Sequence, residues 1–310
     1  MKTSTKLIGI YILLASNVLI WAFAWPISKI GLEYMDPIWY TVYRFVIGVS
    51  TCFIVLALRG KLTLPKRRDL PLILSIGTLQ MALFLMLVNF GLSFVGAGRA
   101  AILVYSTPLW VTPIAIIFFG EKLNRLKWLG VLLGLCGIFL LFSPWEFNWG
   151  NSAVVLGNLM LLLAAVVWAI TMLHTRFGTW HSSAAALVPW QLLLAVILTV
   201  PAALILEPTT EIQWNATLIY TLFYNGVLAT AFGFWAGLTV SKSLPVVSTS
   251  LYYLAVPVIG LLLSTLLLGE PLTFTTVIAM GFIISGLACV SLSGEHTTNN
   301  TLTKSALENN

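Results

Sequence analysis

The stretch WAFAWPISKIGLEYMDPIWYTVYRF, residues 21–45, returns in altered form as WAITMLHTRFG, residues 168–178. In both copies a tryptophan is followed eight residues later by a cation and ten residues later by a glycine. The matched positions are Trp21 with Trp168, Lys29 with Arg176, and Gly31 with Gly178. Burying a charge is costly, so cations that recur at one spacing inside apolar sequence indicate an internal duplication.

The composition predicts lipid as the solvent of this chain. Of the 310 residues 59% are hydrophobic and 8% are charged, and the mean hydropathy is +0.98, whereas a soluble domain carries roughly 25% charged residues. The net charge of +6 comes from basic clusters between apolar runs, which indicates membrane topology rather than a nucleic-acid partner. Cys52, Cys136 and Cys289 lie inside apolar runs and are expected to be packing residues.

Ten apolar stretches have about the 20 residues that a helix needs to cross a bilayer. They cover residues 7–28, 37–58, 71–91, 100–119, 126–143, 153–173, 184–206, 216–238, 247–268 and 273–293. Residues 296–310 are polar and rich in Asn and Thr, which predicts a disordered tail. The sequence therefore predicts an all-α integral membrane protein with ten transmembrane helices.

Two glycine pairs mark predicted helix contacts. Gly130 and Gly134 lie four residues apart in the fifth stretch, and Gly233 and Gly237 do so in the eighth. Small residues at this spacing let helices approach closely in lipid. The pattern is common in apolar sequence, so it predicts contact without naming the partner helix.

The duplication extends to both ends of each half. Pro108 and Pro257 match at an offset of 149, as do Gly120-Glu121 and Gly269-Glu270. The halves are therefore residues 1–145 and 150–295, with five helices each. Because five is odd, the second half enters the membrane from the opposite side, and such inverted repeats are typical of secondary transporters, with the site at their interface.

The basic residues predict the orientation. With the N-terminus and C-terminus in the cytoplasm, thirteen of the sixteen Lys and Arg residues fall on the cytoplasmic side, as the positive-inside rule requires. One alternative remains open. Lys2 and Lys6, an apolar run and Ala22-Phe23-Ala24 could together form a cleavable signal peptide, which would leave nine spans.

Three cations inside or beside spans are candidate functional residues. Arg44 is seven residues into the second span, where a charge usually faces a cavity or a partner. It is expected either to bind substrate or to pair with Glu33 or Asp36. Lys29 and Arg176 fall near opposite membrane faces, so they either mark the two mouths of a pathway or extend to lipid headgroups.

The acidic residues restrict the cargo. All ten Asp and Glu residues fall at helix ends, in loops or in the tail, so no carboxylate is expected at mid-span to balance a cationic cargo. A site with a cation and no anion favours a ligand that carries a carboxylate or a phosphate. Glu121 and Glu270 are interpreted as helix-end or gate residues.

Aromatic and amide side chains are candidates for the rest of a substrate site. Trp21, Tyr105, Trp168 and Tyr253 are placed at mid-span, although Trp and Tyr also form belts at the membrane surface. Asn89 and Gln191 are polar at membrane depth, where each must find a partner or face water. Together with Arg44 these six residues form the predicted substrate site.

The two halves resemble the EamA branch of the drug/metabolite transporter superfamily. The first half shows WAFAWPISKIG followed by Pro37 and Arg44, and the second shows Trp168 and the stretch LGEPLT at 268–273. The resemblance covers residues 7–293. It implies a secondary transporter of the bacterial inner membrane that exports amino acids or related small metabolites by alternating access.

The resemblance also leaves other functions open. Relatives include importers of cofactor or nucleotide-type metabolites, and a lipid flippase could use the same fold. An enzyme is disfavoured because His174, His181 and His296 form no metal-binding pair and no phosphate loop or paired acids appear. We therefore expect no catalytic residue, metal or cofactor. The expected partners are a small-molecule substrate and membrane lipid but no nucleic acid, and the oligomeric state and coupling ion stay open.

Overall fold

The computed structural model describes residues 2–142, 150–209 and 211–307, with side chains placed for residues 7–140, 150–209, 211–290 and 292. Throughout these ranges the regular secondary structure is helical. The all-α prediction is therefore confirmed for the described part of the chain.

The first half contains seven α-helices. They are α1 (Lys2–Gly31), α2 (Pro37–Leu58), α3 (Leu70–Ser75), α4 (Phe84–Phe94), α5 (Ala97–Val104), α6 (Thr107–Phe119) and α7 (Arg125–Phe142). The first π-helical segment, Ile76–Leu83, joins α3 and α4 into one continuous helix. A short 3₁₀ turn, Arg67–Asp69, precedes α3.

The second half repeats this order. Its helices are α8 (Ser152–Phe177), α9 (Ala184–Leu206), α10 (Ala216–Phe223), α11 (Gly233–Ser243), α12 (Val246–Tyr252), α13 (Ala255–Leu268) and α14 (Phe274–Leu307). The second π-helical segment, Tyr224–Phe232, joins α10 and α11. Both π-helical segments therefore occupy the same place in their halves, within the third span.

Eight helices of the described chain are long and apolar enough to cross a membrane. They contain eight of the ten predicted stretches, and the helices broken at α5–α6 and α12–α13 each count as one. The other two stretches lie in α7 and α14, which pack along each other. Of α14, the apolar part is Phe274–Val290, and its backbone continues as helix into the segment for which composition predicts a disordered tail.

The fourth span of each half is broken and ends in the same way. Two non-helical residues separate α5 from α6 at Tyr105 and α12 from α13 at Tyr253. Gly120 and Gly269 then end α6 and α13 with φ values of 65° and 69°. A left-handed residue at this position releases the chain from the helix, and glycine adopts it without a Cβ penalty.

The predicted close contacts at the glycine pairs are confirmed. A Cβ on Gly130 would lie 2.9 Å from the backbone oxygen of Gly286 on α14. A Cβ on Gly233 would lie 2.5 Å from Nε1 of Trp21, and one on Gly237 would lie 2.8 Å from Cη2 of the same ring. The missing side chains thus let α7 meet α14 and let the Trp21 indole pack against α11.

Candidate functional site

A cavity at the centre of the bundle collects most of the predicted substrate residues. Its volume is about 60 Å³, enough for a few water molecules. Five of the seven predicted residues line it, and these are Trp21, Arg44, Asn89, Tyr105 and Trp168. Tyr253 and Gln191 do not line it. Nine further residues line the cavity that were not among the predicted substrate residues, and they include Trp25, Ser28, Gln80 and Phe84.

The guanidinium of Arg44 is held across the two halves. Its Nε donates a hydrogen bond to Oγ1 of Thr230 at 2.7 Å, and Arg44 is 5% exposed. Thr230 lies on the second π-helical segment, which α2 approaches closely because Gly48 has no side chain: a Cβ there would lie 2.7 Å from Cγ2 of Thr230. The observed partner is a hydroxyl group rather than the carboxylate that the alternative prediction offered.

Asn89 presents a hydrogen-bond acceptor to the same cavity. Its Nδ2 donates to Oγ1 of Thr41 at 2.7 Å, and that hydroxyl donates to the backbone oxygen of Pro37 at 2.8 Å. Because the Thr41 proton is committed to Pro37, its oxygen must accept, and this fixes the orientation of the Asn89 amide. Oδ1 of Asn89 is left buried without a hydrogen-bond partner among the described residues.

Gln80 adds a second acceptor. It lies on the first π-helical segment and lines the cavity, and its Oε1 is also buried without a partner in the described chain. Leaving a buried acceptor unsatisfied costs about 1–3 kcal/mol, so a hydrogen-bond donor placed beside either oxygen would be favoured. The signal that pointed to Asn89, an amide in an apolar span, applied equally to Gln80.

Four aromatic rings related by the duplication meet beside the cavity. The ring centroids of Trp21 and Trp168 are 5.9 Å apart. Those of Trp21 and Tyr253 are 5.2 Å apart, and those of Trp168 and Tyr105 are 5.0 Å apart. The Tyr253 hydroxyl donates to Oδ1 of Asn17 at 2.9 Å, which keeps Tyr253 behind the two indoles. The pairs Trp21–Trp168 and Trp168–Tyr105 meet edge to face and the pair Trp21–Tyr253 is tilted, so the rings form an apolar wall.

Gln191 lies in a different place from Arg44, its match in the duplication. It is fully buried on α9, where Nε2 faces the backbone oxygen of Leu72 at 3.4 Å and Oε1 has no partner among the described residues. A Cβ on Gly77 would lie 2.9 Å from the Gln191 backbone oxygen. Gln191 therefore packs against the third span, outside the cavity.

Lys29 and Arg176 both cap the end of a helix. Nζ of Lys29 donates to the backbone oxygens of Leu92 and Val95 at 2.7 and 2.9 Å, at the C-terminus of α4. Nη1 of Arg176 donates to the backbone oxygen of Lys242 at 2.7 Å, at the C-terminus of α11. Carbonyl oxygens there lack helical partners and carry partial negative charge, so a cation stabilises them.

Glu270 follows α13 and reaches the first half of the chain. Its carboxylate accepts hydrogen bonds from the backbone N–H groups of Ala97 and Gly98 at 2.7 and 3.0 Å. These groups open α5 and have no acceptor within the helix. A Cβ on Gly98 would lie 2.9 Å from the carboxylate oxygen Oε2, so the absence of a side chain makes room for the contact.

Glu121 makes the equivalent contact from the first half to the second half. It follows α6 in the first half and accepts hydrogen bonds from the N–H groups of Val246 and Val247, both at 3.2 Å, where α12 begins. Burial raises the pKa of the Glu121 carboxyl above its ordinary value, although these two hydrogen bonds and the nearby Lys127 oppose that shift. Each glutamate thus ties its own half to a helix start in the other half.

A third acid, which the sequence analysis did not single out, caps α2. Both carboxylate oxygens of Glu207 accept from the N–H of Ile38 at 3.0 Å, and one accepts from the N–H of Trp39 at 3.0 Å. The Trp39 indole donates to the backbone oxygen of Glu207. The join holds the end of α9 to the start of α2, whose charged residue Arg44 lies two turns further along.

Comparison with known proteins identifies the family. The model of the EamA-like transporter family matches residues 8–143 and again residues 155–292. The chain belongs to the EamA-like transporter family. The prediction from the motifs is thereby confirmed, and the EamA-like fold accounts for the multi-pass apolar helices.

Relatives of this EamA-like protein carry transporter names. A Bacillus subtilis protein described as uncharacterized transporter YoaV is 26% identical over 88% of this chain and 93% of its own length. An Escherichia coli protein described as a probable amino-acid metabolite efflux pump is 27% identical over 87% of this chain and 90% of its own. A crystal structure described only as that of a protein matches the fold, with a TM-score of 0.72 and 20% identity over 92% of this chain and 96% of that one.

Proposed function

We propose that this protein is a secondary transporter that exports amino acids or related small metabolites carrying a carboxylate. The observation that carries the proposal is the buried guanidinium of Arg44 in a cavity that also offers the unpartnered oxygens of Gln80 and Asn89. A carboxylate on Arg44 and donors on the two amides would satisfy groups that are otherwise costly to bury. The printed name of the Escherichia coli relative supports the same class of cargo.

The proposed architecture is ten transmembrane helices in two inverted repeats, residues 1–145 and 150–295. The family model matches twice, once in each half. The π-helical segments, the breaks at Tyr105 and Tyr253 and the left-handed glycines also recur, at offsets of 148 or 149 residues. The contact of Glu121 after α6 with the start of α12 fits this arrangement, because it requires those two helix ends to share a membrane face.

The two glutamate contacts support a mechanism of alternating access. In the proposed orientation, with both termini in the cytoplasm, the Glu121 contact lies on the cytoplasmic side and the Glu270 contact on the outer side. Each spans the boundary between halves, so each can act as a gate that opens when the halves rock. Lys29 and Arg176 lie near the outer and inner mouths of this pathway, where they hold helix ends.

Reconstitution tests the proposal. The purified full-length protein is placed in liposomes loaded with one amino acid, and entry of a labelled amino acid is followed by counterflow, beside flipping of a labelled lipid in the same preparation. We expect saturable entry of the amino acid and no acceleration of lipid flipping. The reverse result would indicate a flippase, and entry of only nucleotide-type cargo would indicate an importer-like specificity.

A further inference from the structure

A second cavity opens sideways from the bundle, away from the substrate site. It lies between α2, α9 and the second π-helical segment, and its volume is about 550 Å³, within the roughly 300–1,000 Å³ of typical ligand pockets. No residue lines both this lateral groove and the central cavity. Its walls include the exposed side chains of Val55 and Leu228, so the groove faces the surroundings of the bundle rather than its core.

The lateral groove is apolar along its length and cationic at one end. The walls include Leu56, Val188 and Ala231, and the end carries Arg59 and Lys61, both exposed. A ligand that fits must therefore present an apolar chain and an anionic head. This is the chemistry of an anionic phospholipid.

The turn after α2 holds the two cations at the end of the groove. The N–H of Lys61 donates to the backbone oxygen of Leu56 and the N–H of Gly60 donates to that of Ala57, both at 2.9 Å. Gly60 has a φ of 59°, and these paired bonds form a Schellman motif. The motif reverses the chain, so Lys61 returns beside Arg59 instead of leading away from the membrane.

We propose that the lateral groove binds one anionic phospholipid of the cytoplasmic leaflet. The acyl chain lies along the apolar walls and the phosphate lies between Arg59 and Lys61. The proposed orientation places these cations at the cytoplasmic face, where anionic lipids attract basic residues next to a span. A groove of this kind in a membrane is filled by lipid in any case, and the paired cations select the anionic headgroup.

The bound lipid would lie against the element that holds Arg44. Leu228 and Ala231 of the second π-helical segment line the lateral groove, and Thr230 between them accepts the hydrogen bond from Arg44. The groove and the central cavity are thus on two sides of one thin helical wall. A lipid in the groove supports the packing of that wall on α2 and stabilises the substrate site.

The test measures lipid binding to the full-length protein in detergent. Phosphatidylglycerol and phosphatidylethanolamine with identical acyl chains are titrated and followed by native mass spectrometry and by thermal unfolding. We expect one tightly retained phosphatidylglycerol and a rise in melting temperature. The double variant Arg59→Gln/Lys61→Gln is expected to bind it roughly tenfold more weakly, since each basic residue contributes attraction near an anionic lipid.

Two further variants separate the possible outcomes. Ala231→Phe fills the groove and should displace the lipid while leaving both cations in place. Lys122→Gln/Arg125→Gln removes the same charge from another exposed site and should leave binding unchanged. Equal binding of the two lipids, equal loss in the control variant, or binding unaffected by Ala231→Phe would each overturn the proposal.

Discussion

Glu121 and Glu270 make one contact in two copies: each follows a left-handed glycine, and each carboxylate accepts from two consecutive N–H groups that open a helix of the other half. A carboxylate at a helix N-terminus is favoured by the unpaired N–H groups and the helix dipole. The hydrogen bonds of Glu270 are shorter than those of Glu121. The contact of Glu270 is therefore the tighter of the two.

Neutralising either Glu121 or Glu270 should open the cavity to one side of the membrane. Glu121→Gln and Glu270→Gln each weaken a charged cap by about 1 kcal/mol, or about fivefold in the population of the closed gate. A cysteine at the cavity residue Val88, in a background without the native cysteines, is labelled with a membrane-impermeant maleimide. We expect Glu121→Gln to speed labelling from the cytoplasmic side and Glu270→Gln from outside. A change in the same direction for both variants would contradict the gate assignment.

Arg44→Gln should weaken binding of a carboxylate cargo by about ten- to a hundredfold, because a charge-assisted hydrogen bond contributes roughly 1.5–3 kcal/mol. Arg44→Lys should keep only part of the native affinity, since an ammonium lacks the planar guanidinium that can bond to Thr230 and to a carboxylate at the same time. Gln191→Leu is the matched control: it changes the equivalent position outside the cavity. Binding is measured by calorimetry on folded protein, and unchanged affinity in Arg44→Gln would remove Arg44 from the site.

Lys29 and Arg176 should differ in how much they stabilise the fold. Lys29→Met removes contacts with the backbone oxygens of two residues at 2.9 Å or less and a third at 3.4 Å, and we expect a loss of about 2 kcal/mol in unfolding free energy. Arg176→Met removes one such bond and should cost about 1 kcal/mol. Lys122→Met, at an exposed position, controls for lost charge. If Arg176→Met proves the more damaging, Arg176 has a role beyond its cap.

The Glu207 cap should make stability depend on pH. Burial raises the pKa of the Glu207 carboxyl above its ordinary 4.5 and the Asp36 charge adds to this, although hydrogen bonds from Ile38 and Trp39 oppose it. The pKa of Glu207 is higher in the folded state than in the unfolded state. The contribution of Glu207 to the free energy of unfolding is therefore complete below the ordinary pKa and is lost as pH rises through the raised pKa. The melting temperature of the native protein relative to Glu207→Gln should therefore fall as pH rises above about 4.5.

Reporter tags test the topology. Tags after Leu64 and after Gly294 should lie in the cytoplasm, and a tag near Asn148, which is outside the described residues, should lie on the opposite side. The expectation rests on the asymmetry of basic residues between the two sides. Finding the tags near Asn148 and after Gly294 on one side would contradict the inverted, ten-helix arrangement.

The sequence identified eight of the ten predicted spans and the matched positions because both signals are local. Hydropathy over 20 residues reflects the solvent of a helix, and the spacing of Trp21, Lys29 and Gly31 survives duplication unchanged. Arg44 and Asn89 line the cavity for a related reason, since a charged or amide side chain inside a span usually faces a polar space. Gln191 is an amide inside a span that lies outside the cavity.

The features that the sequence did not predict are contacts between side chains and residues distant in the chain. The spacing of Lys29 marked it as special but did not indicate that its partners are carbonyl oxygens at the end of α4. The match between Arg44 and Gln191 suggested a shared site, yet the two side chains point to different neighbours, Thr230 and Leu72. Glu207 gave no signal because a single glutamate at a helix end looks like any solvated loop residue.

Each half of the chain has a π-helical segment that interrupts the regular α-helix of its third span. A π-turn carries one more residue than an α-turn, so shifting the irregularity by a turn rotates the side chains it passes while the helix ends stay fixed. Gln80 on one segment and Thr230 on the other would swing relative to Arg44 by such a shift. A shift of the π-turn can therefore change which side chains face the cavity without moving the ends of either span.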